Sequence, residues 1–239
     1  MYVSTTRPLA LVTGAAHRLG KAFALTLARL GYDIILHYHS SSDEALQTKL
    51  EIESLSRRAI LTQADLTQSN EIHSLVSTLQ SLDVLVNSAA FMPGGTVNAL
   101  TLENWDTALD LNLRAPFLLA QECSKKMTDG GLIVNISDVG AQKAWSKYPA
   151  YTVSKAALES LTKILARALA PKIRVNAIAP GFVLPSDIVS AEEWERLAGR
   201  IPLKRPARTD EITSALEFLL HNQYVTGQTI VVDGGYSLI

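Results

Sequence analysis

Leu9-Ala10-Leu11-Val12-Thr13-Gly14-Ala15-Ala16-His17-Arg18-Leu19-Gly20 is the stretch that decides the fold. Four apolar residues run into a threonine and a glycine, and an amphipathic run, Gly20 to Leu30, follows at once. The hydrophobic pattern changes from that of a buried strand to that of a helix, so the segment is a strand, a tight turn and a helix. Backbone N–H groups and the positive helix end then converge on a point beyond the strand, which makes a cradle for a pyrophosphate. Gly14 permits the turn and Gly20, after Leu19, lets the helix pack close. The middle position, often glycine in dinucleotide folds, is Arg18. Taken alone, a glycine motif also fits an ordinary strand–turn–helix.

Working outward, short β-branched or apolar runs alternate with longer stretches of helical period. Strands are expected at Leu9–Thr13, Asp33–His37, Ala59–Gln63, Val84–Asn87, Leu132–Ser137, Arg174–Ile178 and Thr229–Val232. Helices are expected at Gly20–Leu30, Ser42–Leu55, Ser69–Leu79, Trp105–Lys126, Tyr151–Leu169, Ala191–Arg200 and Thr209–Leu219. This alternation forces parallel strands with helices on both faces, a doubly wound α/β sheet in a single domain. Two Pro/Gly-rich stretches, Phe91–Gly95 and Ala179–Ser186, each follow a strand, and ligands bind at loops on the carboxyl ends of parallel strands.

The bulk numbers exclude several classes. The chain has 239 residues, enough for one α/β domain with a sizeable core. Its 22 Lys+Arg against 23 Asp+Glu leave a net charge of −1, with no basic excess for nucleic acid. Cys123 is the one cysteine, which excludes an internal disulfide and suits a reducing compartment. Met1–Pro8 lacks the charged-then-apolar pattern of a signal peptide, and no apolar run reaches the roughly 20 residues of a membrane span. The expected setting is cytoplasmic, without membrane.

The chemistry is written at four further places. At the end of the second strand, where an acidic residue would accept from an adenosine 2′-hydroxyl, stand His37-Tyr38-His39-Ser40-Ser41. A carboxylate there would repel a 2′-phosphate, whereas histidines and hydroxyls donate to one and Arg18 supplies a cation, so NADP is favoured over NAD. Tyr151 and Lys155 stand four residues apart on one helix face. A tyrosine with a pKa of about 10 donates a proton to a carbonyl or imine, and a nearby ammonium eases the phenolate. Asn112 is a polar residue in an apolar stripe and needs a partner or a role. Asp138 follows the Leu132–Ser137 strand; such a carboxylate is solvated and inert, or is raised in pKa by burial and donates a proton.

Jointly these residues resemble the short-chain dehydrogenase/reductase family over nearly the whole chain. The motifs are Thr13 to Gly20, Ala64-Asp65-Leu66, Asn87-Ser88-Ala89-Ala90, Asn112, Tyr151 with Lys155, Asn176 to Gly181, and Val225 to Gly235. The resemblance implies a Rossmann-type sheet of seven parallel strands, Asp65-Leu66 at the adenine, and Asn87 and Ala89 along the cofactor. It further implies Tyr151 as proton donor, Lys155 on the nicotinamide ribose and lowering the Tyr151 pKa, and Asn112 holding a proton-relay water. Pro180-Gly181 would lie against the nicotinamide, a segment at about 182–200 with Pro185, Asp187 and Trp194 would cover a small-molecule substrate, and the assembly would be a homotetramer.

Where most members carry a catalytic serine, this chain has Asp138, and where most carry glycine it has Arg18. With His37 to Ser41 and the ending Val232 to Leu238, this is similar to the pteridine reductase branch. There the carboxylic acid and tyrosine protonate pterin ring nitrogens, the arginine touches phosphate and pterin, and an aromatic residue sandwiches the pterin. Ser40 stands where the branch has an arginine, and Phe91 is either the stacking aromatic or a loop aromatic. A carbonyl reductase, such as a 3-oxoacyl carrier-protein reductase, is the alternative, against which the missing serine counts.

Overall fold

The computed structural model describes residues 7–185 and 190–239. Its strands are β1 (Leu9–Val12), β2 (Asp33–Tyr38), β3 (Ala59–Gln63), β4 (Leu82–Asn87), β5 (Met127–Ile136), β6 (Ile173–Pro180) and β7 (Thr229–Val232). Its α-helices are α1 (Arg18–Arg29), α2 (Ser42–Ser54), α3 (Ser69–Ser77), α4 (Leu102–Leu109), α5 (Ala115–Cys123), α6 (Gly140–Lys143), α7 (Pro149–Leu169), α8 (Ala191–Arg200) and α9 (Thr209–His221). The strands form one parallel sheet in the order β3-β2-β1-β4-β5-β6-β7. This is the expected seven-stranded Rossmann-type arrangement.

Both faces are covered because the strands are apolar on both sides. In β1, Ala10 and Val12 enter one core layer and Leu11 the other. The first layer holds Phe23 and Leu27 of α1 with Ile212 and Leu216 of α9. The second holds Ile72 and Leu75 of α3, Leu119 of α5 and Leu165 of α7. Each such side chain contributes about 1.5–3 kcal/mol on burial, and together they fix the strand ends that carry the loops. Strand order reverses between β1 and β4, which opens a crevice at their carboxyl ends.

Two elements differ from the sequence reading. The helix expected over Trp105–Lys126 runs instead from Leu102 to Cys123 and is interrupted by a π-helical turn at Asp110–Arg114, with Asn112 fully buried inside it. β5 begins at Met127, not Leu132: Met127 pairs with Leu82 and Gly131 with Ile173, so sheet pairing on both sides recruits a polar, glycine-bearing stretch that reads locally as a loop. The single turn α6 has no periodic signature at all, being four residues long.

Candidate active site

The crevice is pinned open by side chains that bond backbone. Thr13 Oγ1, at the end of β1, accepts from the N–H groups of Ser88 and Ala89 at 2.9 and 3.0 Å, which ties the loop after β4 to the glycine turn. His37 of β2 does the same on the other side. Its Nδ1 accepts from the Gly14 N–H at 3.1 Å, so its Nε2 carries the proton and donates to the Ala64 carbonyl at 3.0 Å. Burial pushes the His37 pKa down to about 4, against the bond to Ala64, so the ring is neutral. His37 is therefore a brace inside the wall and not one of the phosphate donors that the sequence reading took it for.

Whether these residues fit a dinucleotide is decided by backbone. A Cβ on Gly20 would stand 2.0 Å from the Gly14 carbonyl oxygen, so only glycine lets the first turn of α1 sit on the strand end. His17, the N-cap of α1, makes no side-chain cap bond, which leaves amides of the first turn for an anion. Gly14 and Arg18 adopt positive φ of 63° and 53°. The cleft built on this turn measures about 1410 Å³ and is lined by Arg18, Leu19, Gly20, His39, Ser40, Ser41, Asp65, Leu66, Ala89, Phe91, Pro180 and Gly181, continuing to Asp138, Tyr151 and Lys155. Its residues fit an extended dinucleotide with phosphates on α1 and a second molecule beyond.

At the far end three functional groups meet. Tyr151 Oη donates to Asp138 Oδ2 at 2.9 Å, and Asp138 Oδ1 accepts from the Gly140 N–H at 2.7 Å. Lys155 Nζ donates to the Ile136 carbonyl at 2.6 Å and lies 5.6 Å from the Tyr151 ring centroid. Burial raises the Asp138 pKa, although the bonds from Gly140 and Tyr151 oppose it. Burial first, then the neighbouring Asp138, push the Tyr151 phenol well above its ordinary value, the direction opposite to the lowering that the resemblance implies. Burial lowers Lys155 to about 8, leaving it an ammonium at neutral pH.

Some expected residues stand elsewhere. Asn87 is buried behind the cleft, where its Nδ2 donates to Asn135 Oδ1 at 2.8 Å and joins β4 to β5. The side chain of Asn112 accepts from the Phe91 N–H and donates to the Phe91 carbonyl and to Ser154 Oγ, at 2.8, 2.8 and 3.0 Å. Through these bonds it is a positioning residue that holds the loop carrying Phe91. The Arg18 guanidinium reaches across the cleft and donates to the carbonyls of Pro185 and Leu184 at 2.9 and 3.2 Å. Asp187 lies outside the described residues. The bracing roles of Thr13 and His37 were not legible in the sequence, since they depend on which backbone lies opposite. Nor was the placement of Trp145 and Tyr148 on the cleft wall with Phe182 and Tyr236. Phe182 meets Trp194 and Tyr236 edge-on at 5.3 and 5.0 Å.

Proton-transferring groups at the end of a dinucleotide groove, on a doubly wound sheet, define a class, the nicotinamide-dependent oxidoreductases. The family model described as enoyl-(acyl carrier protein) reductase matches residues 14–237. A 3-oxoacyl-[acyl-carrier-protein] reductase of Synechocystis sp. is 35% identical over 240 residues, covering 96% of this chain and 97% of the relative. The FabG 3-oxoacyl-[acyl-carrier-protein] reductase of Staphylococcus aureus is 35% identical over 237 residues, covering 95% and 96%. Among solved structures, FolM alternative dihydrofolate reductase 1 from Brucella canis, complexed with NADP, superposes with a TM-score of 0.91 at 36% identity, covering 97% of this chain and 94% of that one. The chain belongs to this enoyl-(acyl carrier protein) reductase family of short-chain dehydrogenases/reductases and is an oxidoreductase. Among the described residues no helix is long and apolar enough to cross a membrane.

Proposed function

We propose that the protein is an NADPH-dependent reductase that takes a dihydropterin or dihydrofolate to its tetrahydro form. The observation that carries this reading is the 2.9 Å bond between Tyr151 Oη and Asp138 Oδ2 in the cleft. The bound dinucleotide supplies a hydride. This chain supplies the matching proton. A phenol with a raised pKa is a poor acid, whereas a carboxyl group with a raised pKa is an acid better matched to neutral pH. Asp138 is thus the donor to the nitrogen of a C=N bond, Tyr151 orients it, and the amino-pyrimidine edge of a pterin suits a carboxyl partner. Lys155 holds positive charge beneath the pair. The edge-packed rings of Phe182, Trp194 and Tyr236 support a flat heteroaromatic substrate, with Phe91 also lining the cleft.

NADPH is preferred in this reading because no carboxylate stands among His39, Ser40 and Ser41. The NADP complex of the similar FolM structure supports the same cofactor. A second reading, reduction of a 3-oxoacyl thioester or another ketone, is favoured by the identity to 3-oxoacyl-[acyl-carrier-protein] reductases. A panel following NADPH oxidation with dihydrobiopterin, dihydrofolate, dihydromonapterin and an acetoacetyl thioester separates the two. Pterin reduction is expected to lead; a thioester rate above every pterin rate would overturn the assignment. The resemblance also implies a homotetramer, to which Phe117, Ile164 and Val231 offer exposed apolar surface; light scattering should give four times the 25.9 kDa chain mass.

A further inference from the structure

We propose that Trp145 is a positioning residue for the reaction, its indole shielding one side of the Asp138 carboxyl group from solvent, while Asp138 still lines the cleft, so that Asp138 stays a proton donor. The inference deepens the pterin-reductase reading and rests on its assignment of Asp138.

Three features of the local chain have no other evident purpose. Gly140 donates its N–H to Asp138, and a Cβ added to it would stand 2.7 Å from Cε3 of Trp145 and 3.1 Å from Oδ1 of Asp138. The absent side chain is therefore the seat of the indole, and ring and carboxyl group flank the same Cα. Next, the chain reverses after α6 through Ala144, a non-glycine residue at φ 49°, a conformation that persists only where neighbours enforce it. That reversal returns Trp145 over Gly140. Last, the fold-back is clamped: the Trp145 carbonyl accepts from the Tyr148 N–H at 3.0 Å and from Thr152 Oγ1 at 3.4 Å, and the Tyr148 ring meets the indole edge-on at 6.4 Å.

An apolar ring beside a carboxyl group excludes water and disfavours its charged form. Burial is the largest influence on Asp138, and the charged or titratable groups facing it all come from α7: Tyr151 by its hydrogen bond, Lys155 favouring the carboxylate and Glu159 opposing it. None of these groups belongs to Trp145, so the change expected in Asp138 on removing the indole is a change in solvation.

The test is a 13C NMR titration of the aspartate carboxyl carbons in the NADP-bound protein, with the Asp138 resonance assigned by its loss in Asp138→Asn. In the wild type it should titrate above the ordinary carboxylate range. Trp145→Ala should lower its midpoint by about one pH unit and Trp145→Phe should leave it within a few tenths. The descending limb of kcat/KM that Asp138→Asn removes should shift with it. An ordinary Asp138 midpoint in the wild type, or one unmoved in Trp145→Ala while KM alone rises, would overturn the inference. Because the titration needs no substrate, it is independent of the substrate panel: a ketone preference with a shifted Asp138 would sink the pterin reading and keep this one.

Discussion

Replacing the Tyr151 hydroxyl by hydrogen removes the group bonded to Asp138 at 2.9 Å and leaves the buried ring in place. Tyr151→Phe should therefore lower kcat by about 10²–10⁴-fold while NADPH affinity, measured by fluorescence titration, stays within about twofold. Retained turnover would show that the pair does not handle the proton. His37 makes a prediction of a different kind. Its folded pKa of about 4 lies below the ordinary 6.5, so between those values the unfolded chain binds more protons and stability must rise with pH. The contribution is complete above pH 6.5 and is lost as pH falls toward 4, by up to about 3 kcal/mol. Thermal midpoints should show this slope, and His37→Asn should flatten it. That Tyr151, Lys155 and Asp138 meet in one place was legible in the sequence, because helix geometry restricts spacing and a strand end delivers the residue that follows it. His37 was misread because a histidine at a strand end looks the same whether it faces solvent or two backbone groups.

At the scale of elements, the π turn Asp110–Arg114 places one buried amide where it serves two segments. Asn112→Leu leaves the Phe91 N–H and carbonyl and the Ser154 hydroxyl without that partner, each unpaired group costing about 1–3 kcal/mol. Urea unfolding should show a loss of at least about 2 kcal/mol, and in milder Asn112→Ser the substrate KM should rise more than the NADPH Kd, because Phe91 and not the phosphate turn is released. Equal rises would refute the positioning role. The sequence exposed the oddity of Asn112 but not the π turn, since a one-residue change in helix winding leaves an apolar stripe almost intact. The five extra residues of β5 were hidden for the opposite reason: Thr128-Asp129-Gly130 carries loop chemistry, and only pairing with neighbouring strands makes it extended.

Across the whole molecule, Arg18 links the two halves of the cleft. It starts α1 from a left-handed conformation, and its guanidinium holds the carbonyls of Leu184 and Pro185 from the opposite wall. Arg18→Gly relieves about 1 kcal/mol of backbone cost and removes both the cation and the tie. The expected result is an unchanged or slightly higher thermal midpoint, with NADPH binding weakened more than NADH binding. A ratio of the two dissociation constants equal to that of the wild type would show that Arg18 does not meet the 2′-phosphate. NADPH at 100 times its Kd should meanwhile stabilise the fold by about 2.7 kcal/mol, read as a rise in midpoint.

The alternation of apolar runs determined the doubly wound sheet by itself, because parallel strands buried on both faces have no other cover than helices. Glycine spacing and the Tyr151–Lys155 interval determined which turn and which helix face line the cleft, since both are local geometry. What only the tertiary structure decided is which groups meet: Thr13 and His37 bracing the turn, Asn87 withdrawn from the cleft, and an indole laid on Gly140 beside Asp138. Those contacts join residues far apart in the chain or depend on a backbone reversal, and pattern along one dimension carries no record of either.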